Sequence, residues 1–444
     1  MKTQRSNFAK LLLPILFAVI LVACAPAAPS LTPTPAPTLT PSLTSTPLPT
    51  FTPTITPTPM GGGAGKLIFQ YAREGYEKDF PNLQGDSNLF IVNWDGTGLT
   101  PVTNGLLDYS MFKGVSADGK KALLFFAPAM YTAVEGTSIL YVMDLTHPNP
   151  QPIKLASGIF EATYKTASWL DNSRVIYVDQ VPGGWAIFTI NSDGTDPKRI
   201  SQRVNGITPR EVVATADQSR IFWVGVDAST PGWMHKGIWW TSMDGSQQAQ
   251  LIQLKRGVNI PFSLNNFSPD GSMAVWENNT WEDTGTGCCS VRFAFTSDMD
   301  NATEIKLEPK TGMLVGPSPD IVWAPDGSRV IINRRADAAR FNDQIIFDPG
   351  QMFILSPDTM TLKAVLLQSP DATIKYPSIE IIQWLPDGKS LLVRVGCVTY
   401  ATDYQCGGGK IKILDLETGI FTDVFGGKVD QNRIGNVVWL PESE

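Results

Sequence analysis

The sequence predicts an all-β fold, and three observations carry that prediction. A hairpin motif, in which an apolar run reaches an Asp-Gly turn and returns as an alternating strand, recurs along the chain. FSPDGSMAVW (267–276), APDGSRVII (324–332) and LPDGKSLLV (385–393) are its clearest copies, with weaker ones at 116–124, 170–178 and 215–223. The turn aspartates (118, 171, 217, 270, 326 and 387) lie 46 to 61 residues apart, a period that fits one four-stranded unit per repeat. An unpartnered strand stands at each end of the repeat region, so the two can complete one unit between them. Together these predict a seven-bladed β-propeller of four-stranded antiparallel blades, closed by pairing of the N- and C-terminal strands, which leaves no open edge at a seam.

The strands fall into four classes in fixed order. The first precedes the Asp-Gly turns, around Val115, Ser168, Val213, Phe267, Val322, Gln383 and Val438. The second follows them: KALLFF from Lys121, RVIYV from Arg174, RIFWV from Arg220, MAVWE from Met273, RVIIN from Arg329 and SLLVRV from Ser390, with KLIFQY from Lys66 as the unpartnered member. LFIVNW from Leu89 and ILYVMD from Ile139 begin the third class, which ends with KIKILD from Lys410. The fourth runs from LTPVT at Leu99 to FTDVF at Phe421. Each class has seven members, rich in the β-branched and aromatic residues that fit a pleated, half-buried surface. Two turns lack the usual glycine. Asn172 stands there in the third blade and Gln218 in the fourth, and asparagine reaches positive φ more readily than most residues, so the third turn is expected to keep the same shape.

Ahead of the strands lie two segments of other character. Residues 1–23 carry Lys2, Arg5 and Lys10 before an apolar run too short for a permanent membrane span, the pattern of an export signal. That run ends in Leu21-Val22-Ala23-Cys24, which resembles the lipobox of bacterial lipoproteins. The resemblance implies a lipid on Cys24, and several acyl chains at roughly 0.8 kcal/mol per buried methylene anchor stably. Residues 24–65 form a stalk: 25–60 holds 11 threonines, 11 prolines and no charge, so no core can form. As extended polyproline II it reaches up to roughly 100 Å. Residues 66–444 are the propeller domain.

The Trp-x-Pro-Asp-Gly runs at 323–327 and 384–388 and the strand ILYVMD at 139–144 resemble the TolB-like, WD-repeat-like propellers of bacteria. The resemblance spans the region after the stalk and implies the fold; with the lipobox it implies a lipid-anchored protein of the bacterial cell envelope, outside the cytoplasm. It implies no particular ligand.

Several functions are disfavoured by composition. The chain has a formal net charge of −7, and loss of the signal's three cations takes it to about −10, which argues against nucleic acid and against electrostatic adhesion to anionic lipid. Two histidines, His147 and His235, cannot build a histidine-clustered metal site, and neither HExxH nor GxSxG occurs. No catalytic residue, metal or cofactor is expected, and the chain reads as a monomer. Acidic loop residues such as Glu74, Glu211, Glu282 and Asp403 leave open an alternative, an envelope enzyme acting on polysaccharide or peptide.

Strand order says where recognition sits. Turns joining strands one to two and three to four are short; the connections on the opposite face are long, as at 72–88, 127–138, 225–236, 278–290, 334–350 and 396–409. Those loops carry the candidate contact residues for a protein or glycan ligand, Tyr76, Tyr131, Trp233, Trp281, Tyr400 and Tyr404, because aromatic side chains give large contact area at low entropy cost. Cys397 and Cys406, flanked by glycines in one loop, are expected to form a disulfide. Cys288 and Cys289 are adjacent, so a bond between them is strained and free thiols are equally open to them.

Overall fold

The structure, a computed structural model, describes residues 65–440 except for 106–109, 127–137, 148–149, 160–165, 203, 205, 228–233, 254–265, 278–289, 308–319, 336, 342–343, 349, 371–376 and 398–408. Seven small antiparallel sheets stand in a ring. The first blade holds β1 (Lys66–Ala72), β2 (Ser87–Asn93) and β3 (Thr100–Pro101). The second holds β4 (Ser110–Val115), β5 (Lys121–Phe126), β6 (Ser138–Asp144) and β7 (Ile153–Ile159); the third β8 (Ala167–Trp169), β9 (Arg174–Val181), β10 (Gly184–Asn191) and β11 (Lys198–Arg199). The fourth is built from β12 (Ile207–Ala214), β13 (Arg220–Asp227), β14 (Met234–Ser242) and β15 (Gln248–Gln253). In the fifth, β16 (Met273–Glu277), β17 (Ser290–Phe295) and β18 (Thr303–Lys306) are preceded by Phe267, which bridges to Ala274.

The sixth blade comprises β19 (Asp320–Trp323), β20 (Val330–Arg334), β23 (Gln351–Ser356) and β24 (Thr361–Ala364), with an extra hairpin, β21 (Asp337–Phe341) and β22 (Gln344–Asp348), in its long connection. The seventh has β25 (Pro377–Trp384), β26 (Ser390–Cys397), β27 (Lys410–Asp415) and β28 (Phe421–Asp423). The last strand, β29 (Ile434–Leu440), pairs antiparallel with β1, so blade one is built from both ends of the repeat region, as the strand count predicts.

Alternation with period two explains the core. Leu67, Phe69 and Tyr71 of β1 face the seventh blade, while Ile68 between them faces the second. Every junction between neighbouring blades is filled in this way by its own apolar cluster. The closing junction is the most aromatic: Phe69 lies edge-to-face with Phe425 at 5.4 Å and with Tyr71 at 5.5 Å. Tryptophans of the repeat motif add polar ties, since Trp323 donates its indole N–H to the Asn266 carbonyl at 3.0 Å and Trp384 to that of Val322 at 3.3 Å, each on the preceding blade.

The Asp-Gly turns form a collar on the short-turn face. In each, the aspartate accepts from nearby backbone amides, joined in all but the Asp387 turn by a hydroxyl. At Asp244 the Ser242 hydroxyl, with the Ser246 amide and hydroxyl, holds the carboxyl down at about 2. The third turn departs from expectation. Asn172 does not adopt positive φ, because the turn is one residue shorter than in the other blades, and its side chain instead accepts the Asp118 amide of the second blade at 2.9 Å. Gln218 is the residue that takes the left-handed conformation, at φ 56°, and it accepts from Arg174 on blade three. The collar continues with the Ala216 amide on the Pro269 carbonyl at 2.6 Å and with Arg329 donating to the Gly388 carbonyl.

Candidate functional site

First strands of neighbouring blades approach one another, which places them around the axis of the ring. Each runs from the long-loop face towards the collar, so its early residues lie at the long-loop mouth of the axis, beside the final residues of the second strand. Four of these first strands are irregular along their length. Lys113 is the extra residue of a bulge between Phe112 and Gly114 in β4, Arg210 of one in β12 and Ile382 of one in β25; Gly435 and Asn436 of β29 lie opposite Gln70 alone. A bulge bends its strand and re-aims a side chain, a device common at rims and next to functional sites.

Polar contacts run along this mouth from blade six to blade two. Asp320 accepts both Nε and Nη2 of Arg335, at 3.0 and 2.8 Å, and the Asn333 amide at 2.9 Å. That pairing raises the Arg335 pKa. The Arg335 Nη2 also lies 3.8 Å from Glu380 on blade seven, and Glu380 lies 3.9 Å from Nε of Arg394, its cross-strand neighbour in β26. Arg394 Nη2 donates to the Gly435 carbonyl on blade one at 2.8 Å. Next along, the Asn436 side chain donates to the Phe112 carbonyl of blade two at 2.6 Å. Charged groups from two blades, far apart in sequence, are thus brought within reach of one another and tied to a third, and sequence reasoning singled out none of them.

Three desolvated groups stand at the junction of blades two and three. Lys113 places Nζ 5.4 Å from the centre of the Phe125 ring, and burial pushes its amine down to about 8. Burial likewise raises the Asp179 carboxyl, and burial with the Asp179 charge pushes the Tyr177 phenol up to about 12. Among the described residues no group of three or more His, Cys, Asp or Glu side chains is placed to hold a metal ion.

Of the residues singled out in the sequence, Tyr76 is not a contact residue. It is 1% exposed, because a short helix (Arg73–Tyr76) folds the first long connection back onto blade one. Its ring packs on Phe90 at 5.2 Å, and its hydroxyl donates to the Gly85 carbonyl and accepts from Asn88. Tyr131, Trp233, Trp281, Tyr400, Tyr404, Cys24, Cys288, Cys289 and Cys406 lie outside the described residues. Cys397 ends β26, where its backbone pairs with Pro377.

No family model matches the chain, and no curated protein matches it in sequence. Among solved structures it is similar to a prolyl endopeptidase, at a TM-score of 0.50 and 11% identity over 81% of this chain and 48% of that one. The chain therefore spans about half the length of that enzyme. It is also similar to an oligogalacturonate lyase in complex with manganese (TM-score 0.46, 13% identity, 70% of this chain and 75% of that one). A third is TolB from Acinetobacter baumannii (TM-score 0.40, 13% identity, 86% and 68%). At these identities the likeness is one of fold alone, that of a β-propeller.

Proposed function

We propose that the protein is a recognition propeller of the bacterial envelope, anchored by lipid on Cys24, which binds a protein or glycan partner through its long-loop face. The observation that carries this is the asymmetry between faces. On the short-turn face the aspartates, amides and several side chains are consumed in turn-internal and blade-to-blade hydrogen bonds. The opposite mouth has half-buried charges and the long connections, features of a binding surface on a rigid scaffold. An acid/base enzyme is the weaker reading. Of the acidic loop residues, Glu74 is solvent-exposed.

The test captures partners from envelope extract and from a glycan array on the full-length chain. Alanine in place of Trp233, Trp281, Tyr400 or Tyr404 should weaken capture without unfolding the ring, and alanine at Asp193 or Asp244 should leave it unchanged. Capture lost at the turns and untouched at the loops would place recognition on the other face.

A further inference from the structure

Resting on the reading of this mouth as the recognition face, we infer that Arg335 and Arg394 form a subsite for a carboxylate of the ligand, occupied in the free protein by Glu380 as an internal stand-in.

The contacts separate two kinds of carboxylate. Asp320 is a fixed support: it takes two N–H groups of Arg335 and the Asn333 amide at hydrogen-bond distance, and the same Asn333 amide ties to the Ile379 carbonyl of the next blade at 2.8 Å. Glu380 is held differently. Its oxygens lie 3.8 Å from Arg335 and 3.9 Å from Arg394, and its side chain is 47% exposed. Charge-assisted bonds between guanidinium and carboxylate close to about 2.7–2.9 Å. At the observed distances and exposure the pairings contribute little, and Glu380 can swing outward at small cost.

Arg394 shows what that looseness leaves. Its Nη2 is fixed on the Gly435 carbonyl, so the guanidinium cannot follow Glu380, while its Nε is sealed from solvent and makes no hydrogen bond. Arg335 is fixed in the same way by Asp320. Two guanidiniums anchored from behind, on different blades, therefore face one carboxylate that neither grips. A ligand carboxylate that closes to hydrogen-bond distance answers Arg394 Nε and displaces Glu380 into solvent. The planar fork of arginine suits a carboxylate of this kind, carried by an acidic sugar or peptide.

The experiment titrates the full-length chain with D-glucuronate, with D-glucose as the uncharged control and inorganic phosphate as the alternative oxyanion, by calorimetry. Glu380→Gln removes the internal competitor while keeping its shape and should tighten glucuronate binding about fivefold, the effect of one charge roughly 4 Å away in a water-like dielectric. Arg394→Ala should weaken binding roughly tenfold or more. Should Arg394→Ala fail to fold, phenylglyoxal labelling of the unsubstituted protein replaces it, and glucuronate should slow modification of Arg335 and Arg394. Unchanged affinity in Glu380→Gln, phosphate bound as tightly as glucuronate, or no protection of the two arginines overturns the inference. The probes need no macromolecular partner. Their failure would leave loop-borne recognition standing, and loss of recognition with intact probe binding would remove only the reading of the face.

Discussion

Replacing Lys113 with methionine should stabilise the ring at neutral pH and cease to do so in alkali. The amine sits on the β4 bulge over Phe125, and burial takes its pKa from 10.5 to about 8. In the unfolded chain a lysine titrates near 10.4. Below about pH 8 both states hold the proton, so the folded protein bears the whole cost of the buried charge. Between about 8 and 10.5 the unfolded chain binds more protons, and stability rises with pH; above that both states are neutral and the cost is gone. At about 1.4 kcal/mol per pH unit the gap corresponds to roughly 3 kcal/mol, and the partial exposure of Lys113 reduces it to roughly 1–3 kcal/mol. Methionine keeps the unbranched stem without the charge. Urea unfolding followed by tryptophan fluorescence at pH 7, 8.5 and 10 gives the difference directly. The variant should be the more stable by about 1–3 kcal/mol at pH 7, with the gap shrinking at each step. A gap that does not change with pH, or a variant less stable throughout, would refute the assignment of a desolvation cost to Lys113.

At the closing junction, Phe69→Ala should cost about 3–5 kcal/mol in urea unfolding, since Phe69 is fully buried, whereas Phe295→Ala, 58% exposed at the end of β17, should stay within about 0.5 kcal/mol. Tyr71→Phe removes a hydroxyl that donates to the Gly75 carbonyl and accepts the Asp430 amide, and should cost about 1–2 kcal/mol by the same measurement. Cys24→Ser should move the protein from the membrane to the soluble fraction, with loss of the lipid mass; unchanged retention would remove the anchor. Non-reducing peptide mapping should recover Cys397 joined to Cys406, and free thiols at both positions would overturn that pairing.

The fold was legible because its two signals are local. An Asp-Gly turn and a period-two apolar pattern are written within ten residues, and the missing strand of blade one could be found by counting, since β1 and β29 each lack a partner in their own stretch of chain. Signals that depend on the opposite strand were not legible. Nothing in the residues around Lys113, Arg210 or Ile382 announces a bulge, because a bulge is a mismatch of register between two strands. Asn172 departs from expectation for a related reason: the sequence shows glycine's absence but not that the turn itself is shorter. Tyr76 was misread because a four-residue helix makes its connection a small folded unit with its own buried ring. The Glu380–Arg394 pair did leave a trace, as opposite charges equally distant from the Asp387 turn, but Arg335 enters from another blade.

These differences in legibility follow the division of labour between the faces. The repeated motif supplies ties within and between blades: a turn aspartate satisfied locally, an arginine or amide reaching the next turn and, at Trp323 and Trp384, a tryptophan reaching back to the preceding strand. Six such turns make a uniform collar. At the opposite mouth the charges come from residues that differ blade by blade. A closed ring with one uniform face can tolerate one irregular face, because an apolar cluster at each of the seven junctions holds the blades together. Substitutions at the mouth should therefore change binding at little cost in stability, and substitutions in the collar should do the reverse.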